Sequence, residues 1–347
     1  MLEVYWGDIG GLQTDVVIKI FIDKGNIDRY EVIARGKTDQ VFKGQAVSQE
    51  QGSAQDIMRK IAGRALQQVE SLKLPTVAFQ LMSSAQLSGS QLAEVLVAEV
   101  RRHLAAGSGL EKVVFVLTDQ AVYDSFKQMI NRNVIVCLGD SITYGYPYGP
   151  EVSWVKLLED KLGFVMINKG VNGDTLTQMA SRFQWDVSDN KPAVVIILGG
   201  TNDAFMGVAS ESVQSAISFM VEQSFAAGIC PVLGLPVAVS KEGILSDVSP
   251  DELQMVDAKL ETTRNWIKEY ASKHNLPVLD FYNPLLISLS GIGDPRYFVD
   301  GYHPNQSGYR ELSVKVEKML ICLLDRMGVK RINEENCKHC LSGVNKT

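Results

Sequence analysis

Apolar and polar positions along this chain change period repeatedly, and each change marks an element. Residues 134–138 (VIVCL) form an unbroken apolar run, the signature of a strand buried on both faces of a parallel sheet. The run breaks at Gly139-Asp140-Ser141, a turn-rich stretch follows to residue 150, and a helical pattern starts near Ser153 with Trp154, Val155, Leu157 and Leu158 in phase. The same alternation continues to the end of the chain. Strands are predicted at 165–168, 193–198, 231–235 and 277–280. Helices are predicted from Thr175 to about 183 and over 210–227, 251–274 and 306–327, with an irregular stretch at 283–300. Strands separated by helical crossovers imply a parallel sheet covered on both faces, a three-layer αβα sandwich.

The residues before 132 have a different character. Runs rich in β-branched residues at 2–5 and 16–22, with weaker ones at 30–34 and 40–42, read as strands. Ile57, Ile61, Ala65, Leu66 and Val69 fall on one face of a helix over 54–72. A strand at 76–81, a helix at 91–104, a strand at 113–117 and a helix at 121–130 complete a smaller α/β domain with its own sheet. The polar break Asn131-Arg132-Asn133 divides the chain into residues 1–131, residues 132–328 and a polar tail, 329–347.

Composition narrows the function classes. At 347 residues the chain suits two domains, with 46% apolar and 21% charged residues. A net charge of −6 without a basic stripe argues against nucleic acid as a partner. No window is long and apolar enough for a membrane span, and the opening MLEVYWGDIGG lacks the basic and apolar regions of a secretory signal. The five cysteines are odd in number and scattered, which suits a reducing, cytoplasmic setting. Cys337, His339 and Cys340 offer three metal ligands where a closed zinc site needs four, so the tail reads as polar chain and no metal is expected.

Chemistry concentrates at the strand ends. Ser141, Asn172-Gly173 and Asn202 each follow an apolar run, and in a parallel sheet those ends share one edge, where open α/β sheets bind ligands. The loop before the last helix carries Asp300-Gly301-Tyr302-His303 and is expected over the same edge. Taken one at a time, these residues are ordinary caps and turn formers. A serine, a base, a group to orient that base and oxyanion donors are together what acyl transfer requires. No G-x-S-x-G elbow, Walker A loop, G-x-G-x-x-G or H-E-x-x-H occurs.

Four blocks, Gly139-Asp140-Ser141-Ile142, Asn172-Gly173-Asp174-Thr175, Gly200-Thr201-Asn202-Asp203 and Asp300-Gly301-Tyr302-His303-Pro304, resemble those of the SGNH (GDSL-type) hydrolases, over roughly residues 133–326. The one departure in the first block is Ile142, where leucine is usual. The resemblance implies a flavodoxin-like αβα sandwich and a serine esterase or acylhydrolase that works through an acyl-enzyme, without cofactor or metal. It assigns Ser141 as nucleophile, His303 as base and Asp300 as the group orienting the imidazole. The Ser141 N–H, the Gly173 N–H and the Asn202 side-chain amide would form the oxyanion hole. The substrate implied is a small or medium ester, with specificity in loops such as 236–250. Tyr144, Tyr146, Pro147 and Tyr148, close behind the nucleophile, would line its pocket or pack the loop.

A second resemblance lies in the first region. EVYWGDIGGL, residues 3–12, and the segment 76–128 resemble macro domains. That likeness implies a macro-like fold, with Asp8 at the position that contacts adenine. The phosphate-loop position reads Ser83-Ser84-Ala85-Gln86-Leu87-Ser88, without the glycines that let backbone approach phosphate. Docking or homo-oligomerisation is therefore the preferred role for this domain, with ADP-ribose or nucleotide-metabolite binding as the alternative function.

Overall fold

In the computed structural model, the described residues are 1–23, 26–35, 40–45, 53–81, 87–240, 248–288 and 291–331. They fall into two compact units. The first comprises Met1–Arg132 with Phe225–Cys230 and Leu324–Val329; the second comprises Asn133–Ser224 and Pro231–Leu323, with residues 330 and 331.

The first unit is built on strands β1 (Leu2–Trp6), β2 (Val16–Asp23), β3 (Asn26–Ala34) and β4 (Gln40–Gln45), helix α1 (Ala54–Leu72), β5 (Thr76–Leu81), α2 (Gly89–Ala105), β6 (Lys112–Leu117) and α3 (Gln120–Ile130). Its sheet runs β1-β6-β5-β2-β3-β4. The pairs β1/β6, β6/β5 and β5/β2 are parallel, whereas β2/β3 and β3/β4 are antiparallel. Helix α1 begins at a reciprocal cap in which Ser53 and Asp56 satisfy each other's backbone N–H, and α2 repeats the device with Ser88 and Gln91. The face of α1 made by Met58, Ile61, Ala62, Ala65, Leu66 and Val69 is buried in the core. Phe115 is fully buried there between Phe79 and Phe126, at ring-centroid distances of 5.4 and 4.8 Å.

The second unit contains β7 (Val134–Gly139), α4 (Ser141–Tyr144), α5 (Trp154–Leu162), β8 (Val165–Gly170), α6 (Leu176–Ser181), α7 (Phe183–Asp186), β9 (Val194–Leu198), α8 (Thr201–Met206), α9 (Ser210–Ala226), β10 (Cys230–Leu235), α10 (Pro250–His274), β11 (Val278–Asp280) and α11 (Gln306–Arg326), α9, β10 and α11 running in part through residues of the first. The sheet order β11-β10-β9-β7-β8 is the flavodoxin-like doubly wound order, with the chain's direction of travel reversing beside β7. β7 pairs in parallel with β8 on one side and β9 on the other. The carboxyl ends of these three neighbouring strands therefore lie side by side, and the loops leaving them carry Ser141, Gly173 and Asn202.

Two departures from the pattern reading occur close to that edge. The turn-rich stretch after β7 begins with a one-turn helix, α4, packed onto the strand ends. Two glycines make the approach possible: a Cβ on Gly170 would sit 2.1 Å from the Tyr144 backbone nitrogen, and one on Gly139 would sit 2.1 Å from Thr143 Oγ1 and 2.7 Å from the Leu198 carbonyl. The helix expected through residue 183 is broken at Arg182, which leaves helical geometry (φ −102°, ψ 7°). The apolar spacing runs on across this break because Met179 and Phe183 are both buried.

Candidate active site

Ser141 is the first residue of α4, and Asp140 caps that helix by accepting the Ile142 N–H through Oδ1 at 2.9 Å. A first-turn residue has no intrahelical acceptor for its own N–H, so the Ser141 N–H is available to a ligand. The Ser141 hydroxyl lies 2.9 Å from His303 Nε2, and the residue is 5% exposed. On the other side of the ring, Nδ1 lies 2.7 Å from Asp300 Oδ2. A carboxylate only accepts, so Nδ1 carries the proton and Nε2 presents its lone pair to the serine O–H.

The loop carrying Asp300 and His303 is tightly braced. Asp300 Oδ1 accepts the His303 and Tyr302 N–H groups at 2.8 and 3.2 Å, while the Val299 N–H donates to the His303 carbonyl. Gly301 adopts φ +92°, and a Cβ there would meet the Ser240 carbonyl at 2.7 Å. Burial pushes the Asp300 carboxyl up, but the His303 hydrogen bond and charge, with the two backbone N–H groups, outweigh it. The carboxyl is held below its ordinary range and stays ionised.

The loop after β8 turns through Gly173 at φ +83°, and α6 begins at the Thr175–Gln178 capping box. Asn202 Nδ2 donates to the Asp174 carbonyl at 2.9 Å, which leaves its second amide proton for another acceptor. Asp203 accepts the Leu176 N–H, so the third block also braces the second through its carboxylate. Burial raises the Asp203 carboxyl despite that bond. Asp140 is shifted further: burial pushes it to about 7, against the pull of the Ile142 N–H and the His303 charge, with Asp203 pushing it higher. Its Oδ2 is buried without a hydrogen-bond partner.

Aromatic rings border the imidazole. Tyr302 and Tyr146 have ring centroids 4.3 and 4.6 Å from that of His303, and Phe205 packs on Tyr302 at 4.7 Å. Tyr146 is exposed on its outer side, and its carbonyl accepts the Tyr309 O–H. Of the tyrosines singled out behind the nucleophile, Tyr146 is the one whose ring lies against the imidazole, tilted by 51°, while Tyr148 is exposed and Tyr144 half-buried.

Sequence reasoning did not single out Arg182, whose guanidinium bonds to both the first and the second block. The visible signal was its i,i+4 spacing to Asp186; its other partners are a distant carboxylate and two backbone carbonyls, which leave no trace in a sequence.

The remaining candidates lie elsewhere. His103 bonds to Glu70, and His274 lies in the last turn of α10. Asp8 accepts the Gly10 N–H and caps the 3-10 turn Ile9–Gly11. Residues Ser83, Ser84, Ala85 and Gln86, the Cys337, His339 and Cys340 group, and the middle of the 236–250 loop (241–247) fall outside the described residues. Among the described residues no group of three or more His, Cys, Asp or Glu is placed to hold a metal ion, and no helix is long and apolar enough to cross a membrane.

A hydroxyl, an imidazole and a carboxylate are joined in that order at the carboxyl edge of a doubly wound sheet, an arrangement chemically able to activate a serine hydroxyl. Residues 137–311 match the model of the GDSL-like Lipase/Acylhydrolase family, and the chain belongs to that family. Curated relatives include an uncharacterized lipoprotein, YqeF, of Bacillus subtilis, 32% identical over 114 residues (28% of this chain, 46% of the relative). Another is Esterase TesA of Pseudomonas aeruginosa, 27% identical over 106 residues (29% of this chain, 53% of the relative). The chain spans about half the length of the curated relatives it matches. Among solved structures, a member of the lipolytic protein G-D-S-L family from Veillonella parvula is similar at 26% identity and a TM-score of 0.46, over 53% of this chain and 96% of that one.

Proposed function

We propose that this protein is a carboxylic ester hydrolase in which Ser141 is the nucleophile, His303 the general base and Asp300 the group that orients the imidazole. The observation carrying this reading is the unbroken hydrogen-bonded line from Ser141 Oγ through His303 to Asp300, at 2.9 and 2.7 Å. His303 Nε2 takes the hydroxyl proton as Ser141 Oγ attacks the ester carbonyl. The ionised Asp300 stabilises the imidazolium that results. Negative charge develops on the former carbonyl oxygen, where the N–H groups of Ser141 and Gly173 and the free amide proton of Asn202 receive it. Collapse expels the alcohol, which takes its proton from His303 and leaves Ser141 acylated. Water, deprotonated by His303, attacks the acyl-enzyme and releases the acid.

The wall of Tyr146, Tyr302 and Phe205 supports esters with an apolar acyl or aryl part, of small or medium size. Support for a cytoplasmic setting is the free thiols of Cys137, Cys230 and Cys322, since oxidising compartments favour pairing. Homo-oligomerisation or docking stays our proposal for the first unit.

The test of the enzymatic reading is turnover of p-nitrophenyl esters from acetyl to palmitoyl by the wild type and Ser141→Ala. The wild type is expected to hydrolyse the shorter esters, and the variant to lose that activity with unchanged melting. Full activity in Ser141→Ala would refute the assignment.

A further inference from the structure

Arg182 lies at the break between α6 and α7, and its guanidinium bonds to the edge of the site and to Asp186 at the end of α7. Nε donates to Asp174 Oδ2 at 2.7 Å, and Nη1 donates to Asp186 Oδ2 at 2.6 Å and to the Lys169 carbonyl at 3.0 Å. Nη2 donates to the Gly139 carbonyl at 2.9 Å. Gly139 ends β7 two residues before the serine, Lys169 lies at the end of β8, and Asp174 directly follows Gly173. The same Gly139 carbonyl accepts the Val171 N–H at 3.1 Å, and the Asp174 carbonyl accepts the Asn202 amide. One planar cation thus joins the strand end that delivers the nucleophile to the loop carrying Gly173, and the Asn202 amide ties itself to that loop through the Asp174 carbonyl.

We infer that Arg182 is a positioning residue for the oxyanion hole, acting through Asp174 and Gly139 to hold the Gly173 N–H and the Asn202 amide in register with Ser141; this rests on the esterase reading of the same site. A bidentate or multidentate fork fixes direction as well as distance, which a point charge does not. The turn at Gly173 is closed by the Asp174 N–H donating to the Val171 carbonyl at 3.2 Å, and the α-carbon side is open, since a Cβ there would meet nothing within 4 Å. The Gly173 N–H is therefore aimed by its neighbours. Oxyanion donors act mainly in the transition state, so misaiming them lowers kcat while substrate binding persists. A role confined to stability would instead lower the fraction of working enzyme and leave each working site unchanged.

The experiment is steady-state turnover of p-nitrophenyl acetate by the full chain, as wild type, Arg182→Met and Arg182→Lys, with competent sites counted from the p-nitrophenol burst. Arg182→Met is expected to lose tenfold or more in kcat per competent site, with KM within threefold of wild type. Arg182→Lys keeps charge beside Asp174 and Asp186 but cannot span Gly139 and Lys169 as well, and is expected to recover part of the loss. If Arg182→Met does not fold, a reduced kcat per site in Arg182→Lys carries the test alone. A kcat per site within twofold of wild type in the variants that fold, or a loss appearing wholly in KM, would overturn the inference while leaving the esterase reading intact. A wild type without turnover on any ester would overturn that reading and this role with it.

Discussion

Replacing Asp140 by asparagine should abolish a specific pH dependence of stability. The carboxyl is 1% exposed, its Oδ2 has no partner, and burial raises it from 3.8 to about 7. Well below pH 3.8 the group is protonated in both folded and unfolded chains. As pH rises toward 7 the unfolded chain releases the proton and the folded one retains it, so the folded state binds more protons and stability falls. A difference of about three pH units corresponds to about 4 kcal/mol in all, of which roughly 2–3 kcal/mol falls between pH 5 and pH 8. Asparagine keeps the cap on Ile142 through its amide oxygen and cannot titrate. Its buried amide protons cost about 1–3 kcal/mol if unpaired, a penalty that does not vary with pH.

Carboxylates held low, such as Asp300 and Asp186, give the opposite slope at acid pH, so the informative quantity is the difference between wild type and variant. Two-unit chains need not unfold in one step, and the probe must report on the second unit. Of the four tryptophans, Trp154, Trp185 and Trp266 lie in that unit and Trp6 in the first. Urea denaturation followed by tryptophan fluorescence in a Trp6→Phe background therefore isolates the relevant transition. Wild type is expected to lose roughly 2–3 kcal/mol relative to Asp140→Asn between pH 5 and 8. A difference that stays flat, or that grows in favour of wild type, would refute the assignment of a neutral, buried Asp140.

Two other outcomes follow from named contacts. Asn202→Ala removes the proposed oxyanion donor and the brace on the Asp174 carbonyl, and kcat is expected to fall about a hundredfold with melting nearly unchanged. Phe115→Ala opens a void between Phe79 and Phe126 in the first unit and should cost about 3–5 kcal/mol in chemical denaturation.

How much of this was legible in the sequence depends on where each residue's partners lie. β7 and β9 are buried along nearly their whole length, so their composition announces them without reference to anything distant. Helix α1 is equally plain, since its cap and its apolar stripe are both local. β3 and β4 were shorter in the pattern than in the fold, because they pair antiparallel toward the sheet's edge, where Val41 is exposed and alternation weakens. The break at Arg182 was hidden by the in-phase apolar residues on either side of it.

In the site, Ser141, Gly173, Asn202, Asp300 and His303 stood out because each sits in a compact polar block at a strand or helix boundary. Asp140 was visible as a letter but not as a buried acid, since its burial comes with the fold and the charges acting on it, His303 and Asp203, lie far away in the chain. Arg182 was silent for the same reason: Gly139 and Lys169 meet it through their carbonyls, which every residue possesses.

The reaction chemistry rests on Ser141 being the atom that becomes acylated. Mixing the full chain with a p-nitrophenyl alkylphosphonate and locating the adduct by peptide mass spectrometry tests that directly. One phosphonyl group per chain on the peptide containing Ser141, formed far more slowly in His303→Ala, is the predicted result. Labelling at another residue, or labelling of Ser141 at an undiminished rate without the imidazole, would contradict the mechanism.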